Sequence, residues 1–270
     1  MDAGLYTVKC FTKGPVCIGR CALFKNVAGI TATLWILAAQ TSYGQADSQH
    51  QRHSYQSSDE DNEEEPMAEV SLDYVELRGD NGGEIEGDFS YGGEQNKFVA
   101  EVDYERSSGE IEKNELWALY SRAISANWNF LIGIRHDFNL ETTSRNWVAV
   151  GITGESPYKF EMDAVFFYGE HGSTAFRLEG EYEIKLAQDW NLVPRIELNF
   201  FGQNDEARGS GSGLSEAEVG LRLMYEVTRK FSPYIGIHYE REVGNAADFA
   251  REEGEDVVST VWVLGFRAWF

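Results

Sequence analysis

Met224, Glu226, His238 and Glu240 place a thioether, an imidazole and two carboxylates on two neighbouring stretches of the chain. Counted in twos along an extended backbone, Met224 stands between Arg222 and Glu226, and His238 between Gly236 and Glu240. Imidazole and thioether donors suit copper ions, and carboxylates can complete the shell. A plainer reading runs beside this one: a methionine packs, and a single histidine fills a hydrogen-bonded niche. A second set lies upstream. His50, His53 and Met67 flank the acidic run at residues 59–65 and could share one ion in the same way. Met162 falls on a face with Phe160, Ala164 and Phe166 and reads as packing, while His136 and His171 lie near segment ends, where interface or loop roles fit.

Such donors act only if something holds them. From residue 69 onward, segments of about ten residues alternate in polarity and are separated by turn residues. Twelve can be counted, at 69–78, 83–92, 96–107, 111–123, 127–138, 146–155, 158–169, 174–186, 190–203, 215–228, 232–243 and 257–270. Phe176, Leu178, Gly180, Tyr182 and Ile184 share one face of the eighth, and Arg177, Glu179, Glu181 and Glu183 the other. A basic residue misplaced at a bilayer midplane costs about 2–4 kcal/mol and an acid less, so the charged face must turn away from lipid. A slip of one residue would reverse every side chain. The last segment carries Trp262, Leu264, Phe266, Ala268 and Phe270 on one face and ends on an aromatic residue, as bacterial outer-membrane barrels do. A soluble edge of that kind would be sticky, whereas a closed barrel has no edge. The expected fold is therefore all-β: a closed antiparallel transmembrane barrel of about twelve strands over residues 69–270. Its longest external connections are expected at 203–214 and 244–256.

Inward counting places Glu86, Glu101, Asp103, Glu105, Glu115, Glu197 and Glu218 in the lumen with further acids, against Lys97, Arg135, Arg177, Arg195, Arg222 and Arg267. The arrangement reads both as a ladder of ion pairs and as a cation-attracting vestibule. Across the 270 residues the net charge is −22, from 45 acidic and 23 basic residues, which argues against nucleic acid as a partner.

Residues 1–46 hold Lys9, Lys13, Arg20 and Lys25, then an apolar run at 27–39, then Gly44 and Ala46. This is the pattern of a secretory signal peptide cut after Ala46. Cys10, Cys17 and Cys21 all lie inside it, so the mature chain is expected to hold no thiol site. Residues 47–68 lack any apolar period and read as a disordered acidic periplasmic arm.

The stretch from Ile196 to Glu226, the stretch from Pro233 to Val257 and the closing segment resemble the copper resistance protein B family. The resemblance covers most of 68–270. It implies an outer-membrane barrel that binds copper ions and acts in copper homeostasis or resistance, with outer-membrane lipid around it and a periplasmic multicopper oxidase as partner. Family members often carry a Met- and His-rich arm. Here the arm is acidic, with only His50, His53 and Met67, which shifts attention to the lumen. Two other functions stay open at this level: a non-specific diffusion pore, and a barrel lipase or protease. His238 has no obvious serine at its level, so no catalytic role is expected.

Overall fold

The computed structural model describes residues 66–79, 81–107, 110–138, 144–156, 158 and 160–270. The expected signal peptide and most of the arm, with His50 and His53, lie outside the described residues. The strands are β1 (Met67–Arg78), β2 (Gly83–Gly92), β3 (Asn96–Ser107), β4 (Glu110–Ser125), β5 (Trp128–Asp137), β6 (Arg145–Glu155), β7 (Phe160–Gly169), β8 (Thr174–Tyr182), β9 (Ile184–Lys185), β10 (Trp190–Phe201), β11 (Gly213–Tyr225), β12 (Phe231–Glu242) and β13 (Val258–Trp269). β8 and β9 both pair with β10 and are two parts of one stave, interrupted at Glu183. Twelve staves therefore form a single sheet in which every named strand pairing is antiparallel, with β1 hydrogen-bonded to β13. The last residue completes the seam: Phe270 N–H donates to Val70 O (2.9 Å), and Val70 N–H donates to Phe270 O (3.3 Å).

The strand boundaries lie within a few residues of those read from the alternation. Loop length is a weaker guide. At the end of the barrel that carries β1's start and β13's end, links run two to five residues. At the opposite end the links at 202–212 and 243–257 are the longest, but those at 79–82 and 108–109 are short. The two longest links thus fall where they were expected and share one end, while short links occur at both ends because a hairpin needs only two residues to turn. The 243–257 link contains helix α1 (Asn245–Glu253), which buries Ala246, Ala247 and Ala250. Asn245 pins the helix to the other long loop by donating to Asn204 Oδ1 (2.9 Å) and Ser212 Oγ (3.2 Å).

Alternate residues decide which surface is which. Leu77, Ile134, Trp262 and Leu264 are each at least 58% exposed, and Phe98, Val102, Leu116 and Val219 share that outward surface. The partner residues on the other face are buried. At the terminal rim, Trp190 stacks near Tyr225 (4.9 Å) and Phe231 near Phe266 (5.5 Å). An apolar belt edged by aromatic rings is the exterior of a membrane-spanning barrel. No helix among the described residues is long and apolar enough to cross a membrane.

Candidate functional site

The lumen is filled by two unlike regions. On the β4–β8 side, Trp117, Leu119, Leu131, Trp147, Ala149, Val165, Phe167 and Ala175 form an apolar cluster. Trp117 meets Phe167 edge-on at 5.1 Å, and Arg135 lies over both of these rings and Trp147. On the other side the filling is ionic. The register sets Glu240 opposite Glu218, Glu218 opposite Glu197, Glu197 opposite Glu179 and Glu179 opposite Asp163. Five adjacent strands thus present a row of carboxylates to one another. Like charges directly opposite destabilise a sheet, so this row needs cations.

Basic residues supply them, Lys113 from across the lumen and Arg195 from within the row's own strands. Lys113 on β4 donates to Glu218 Oε1 (2.6 Å) and Glu197 Oε1 (3.1 Å), and lies 3.4 Å from Glu105 Oε2. Arg78 donates to Glu84 Oε2 (2.7 Å) and to Glu105 Oε1. Arg222 donates to Glu76 Oε1 (2.5 Å). Arg195 reaches Glu179 (2.5 Å) and Glu86 (3.0 Å), and Arg177 reaches Glu115 (2.9 Å). Arg195, Arg222 and Arg267 all stack on the Tyr74 ring, with guanidinium carbons 4.2–4.7 Å from its centroid. Gly220 keeps the space Arg222 needs, since a β-carbon there would overlap the guanidinium.

These ion pairs form a plate across the barrel. A cavity of about 480 Å³ lies on its terminal side, walled by Asp73, Asp88, Glu101, Asp163 and Glu179. A second, of about 320 Å³, lies on the long-loop side, walled by Glu112, Asp137, Glu216, Glu240 and Glu242. Among the described residues, Arg177 alone lines both.

The candidate donors divide. A ring nitrogen of His238 and one carboxylate oxygen each from Glu105 and Glu240 all lie within 4.8 Å of one another. His238 Nε2 is also 3.6 Å from Glu218 Oε2. Met224 is elsewhere. It faces Tyr234 in the register, whereas His238 faces Gly220, and those four residues along β11 amount to a rise of about 13 Å. Met224 packs in the lumen with Tyr74, Val193 and Tyr234. Glu226 follows the end of β11 at the terminal rim, where its N–H donates to Asp189 O (2.8 Å). Met67 opens β1 at that same rim and is 71% exposed. The thioether and the imidazole are thus both inward, as their positions implied, but at different depths. His136 makes a hydrogen bond with Asn146 Oδ1 (2.8 Å) near the long-loop end.

Sequence reading missed Glu76, Arg78, Glu84 and Lys113 in the plate. Glu84 shares its face with Glu86, and Lys113 with Glu115, so periodicity could have found both. Glu76 and Arg78 were hidden by a bulge at Asp73, which shifts the β1 register between Leu72 and Tyr74 and reverses the count of inward positions.

A closed membrane-spanning barrel with a partitioned, carboxylate-rich interior is the class that this fold and lumen define. The chain belongs to the copper resistance protein B family, whose model, described as copper resistance protein B precursor, matches residues 67–270. It is 42% identical over 179 residues to the copper resistance protein B homolog of Pseudomonas syringae pv. tomato, and 40% identical over 179 residues to copper resistance protein B of Escherichia coli. Each alignment covers 66% of this chain and 60% of the relative, so the matched region spans less than two thirds of either relative's length. Among solved structures, the chain is similar to a NanC porin, at 15% identity over 75% of this chain and 99% of the porin, with a TM-score of 0.49. It is also similar to outer membrane phospholipase A from Escherichia coli, at 12% identity over 79% of this chain and 94% of that one, with a TM-score of 0.42.

Proposed function

We propose that this barrel acts in copper resistance at the bacterial outer membrane by binding copper ions in its lumen or passing them through it, without catalysis. The observation that carries this reading is the inward row of Glu240, Glu218, Glu197, Glu179 and Asp163 in a chain of the copper resistance protein B family. Rings of acidic side chains draw cations into a pore. The terminal rim faces the periplasm in this reading, which puts the acidic arm there, and a periplasmic multicopper oxidase is the partner the family suggests. The ion-pair plate between the cavities weighs against an open, non-specific diffusion pore. A lipase or protease reading is weakened by the register, because Gly220 and Val261 stand opposite His238 and neither is a nucleophile.

The test is copper flux into liposomes holding the full chain, followed with a copper-sensitive dye. Faster copper entry than in protein-free liposomes, slowed when Glu179, Glu197 and Glu218 are changed together to glutamine, is the expected result. A folded barrel that neither binds copper nor conducts it above the protein-free rate would overturn the reading.

A further inference from the structure

We infer that Glu105, His238 and Glu240 form a binding site for a divalent cation of the Cu(II) type, placed where the long-loop cavity meets the plate. This rests on the copper reading of the lumen and narrows it to one site and one oxidation state.

The geometry has three parts. First, the donors converge: a ring nitrogen and two carboxylate oxygens lie within 4.8 Å of one another, from strands β3 and β12. Donors on a small metal at about 2.0–2.2 Å stand roughly 3–3.5 Å apart, so a contraction of about 1–2 Å would close the shell. Rotation of carboxylates supplies that. Second, the histidine is unspent. His238 is 3% exposed, and its Nε2 is buried without a hydrogen-bond partner. A buried polar nitrogen left so is costly, and a metal ligand would relieve it. Glu105 is prepared in a similar way. Arg78 takes its Oε1, while Oε2 receives no hydrogen bond among the described residues and lies 3.4 Å from Lys113 Nζ. Third, there is an entrance. Glu240 is half-buried and lines the 320 Å³ cavity together with Glu216 and Glu242. A cation drawn in by those acids meets Glu240 first and the imidazole behind it. Glu218 Oε2, 3.6 Å from His238 Nε2, is a fourth donor within reach.

The donor types choose the metal. One imidazole and two or three carboxylates suit divalent ions of intermediate softness, among which Cu(II) binds most tightly. Cu(I) prefers sulfur, and Met224, the methionine placed inward, packs about 13 Å along the strands in an apolar cluster. Oxygen-only ions such as Mg(II) gain nothing from the imidazole.

The experiment uses the full chain in detergent with His50→Gln and His53→Gln, so that the arm contributes no imidazole. It is titrated with Cu(II), Zn(II), Mg(II), and Cu(I) under reductant, and the Cu(II) form is examined by electron paramagnetic resonance with nitrogen-resolved pulses. We expect tighter binding of Cu(II) than of the others and coupling to one imidazole nitrogen. His238→Gln should remove that coupling and weaken Cu(II) by about tenfold or more. Glu240→Gln is nearly isosteric and half-buried, so it keeps the barrel folded by heat-shift electrophoresis, and it should weaken Cu(II) while retaining the nitrogen signal. A folded His238→Gln or Glu240→Gln chain with unchanged Cu(II) affinity overturns the site while copper flux, and the broader reading, can stand. Preference for Cu(I) overturns it as well. Failure of the unaltered chain to bind copper in either state removes the site, and the proposed function falls with it only if the liposome assay also shows no copper flux above the protein-free rate.

Discussion

The two halves of the lumen solve the same packing problem with opposite chemistry. The β4–β8 side fills its space with Trp117, Trp147 and Phe167, whose contacts stay within that arc of the sheet. The side built from β1–β3 and β10–β12 fills its space with charges and joins strands from opposite walls, as Lys113 does with Glu197 and Glu218. Aromatic filling stabilises without further conditions. Ionic filling removes several charges from water, and replacing such groups by apolar ones of similar volume is often neutral or stabilising. A barrel that can pack one half with rings, yet keeps ion pairs in the other, gives up stability there for something other than folding. On the reading proposed above, that something is the handling of cations.

Breaking the plate should show the largest effect. Arg78→Met leaves Glu84 and Glu105 buried without their main partner, and unfolding of the barrel in detergent should lose about 3–5 kcal/mol. On the aromatic side, Phe167→Leu keeps the site apolar and close in volume, so the same measurement should fall by about 1.5 kcal/mol or less. A loss as large as that of Arg78→Met would show the two halves to be equally demanding and would undo the contrast. Arg177→Ala sharpens it differently. Removing the side chain that lines both cavities should join them and raise cation conductance in a planar bilayer, whereas Leu119→Ala, on the aromatic wall, should leave conductance near the unaltered level. At the small end, Asp248→Ala on α1 removes an exposed pair with Arg251 (2.6 Å) and should change stability by about 0.5 kcal/mol or less.

Much of this was legible in the chain. A strand's period of two put Arg177, Glu179 and Glu181 on one face and Phe176 and Leu178 on the other, and no bilayer would accept the reverse. His238, Glu240 and Met224 were rightly read as inward for the same reason, and Glu105 was read as a lumen acid. Where that count failed, it failed for a local reason. The bulge at Asp73 breaks the period in β1.

What the sequence determined alone is therefore the division of side chains between lipid and lumen, because alternation is a property of each strand by itself. Depth and cross-lumen partnership were decided only by the closed barrel. Stagger between strands sets Met224 four residues from the level of His238, and closure brings Lys113 of β4 to Glu218 of β11. Those distances depend on how twelve staves are wound around one axis, and no single strand carries that information.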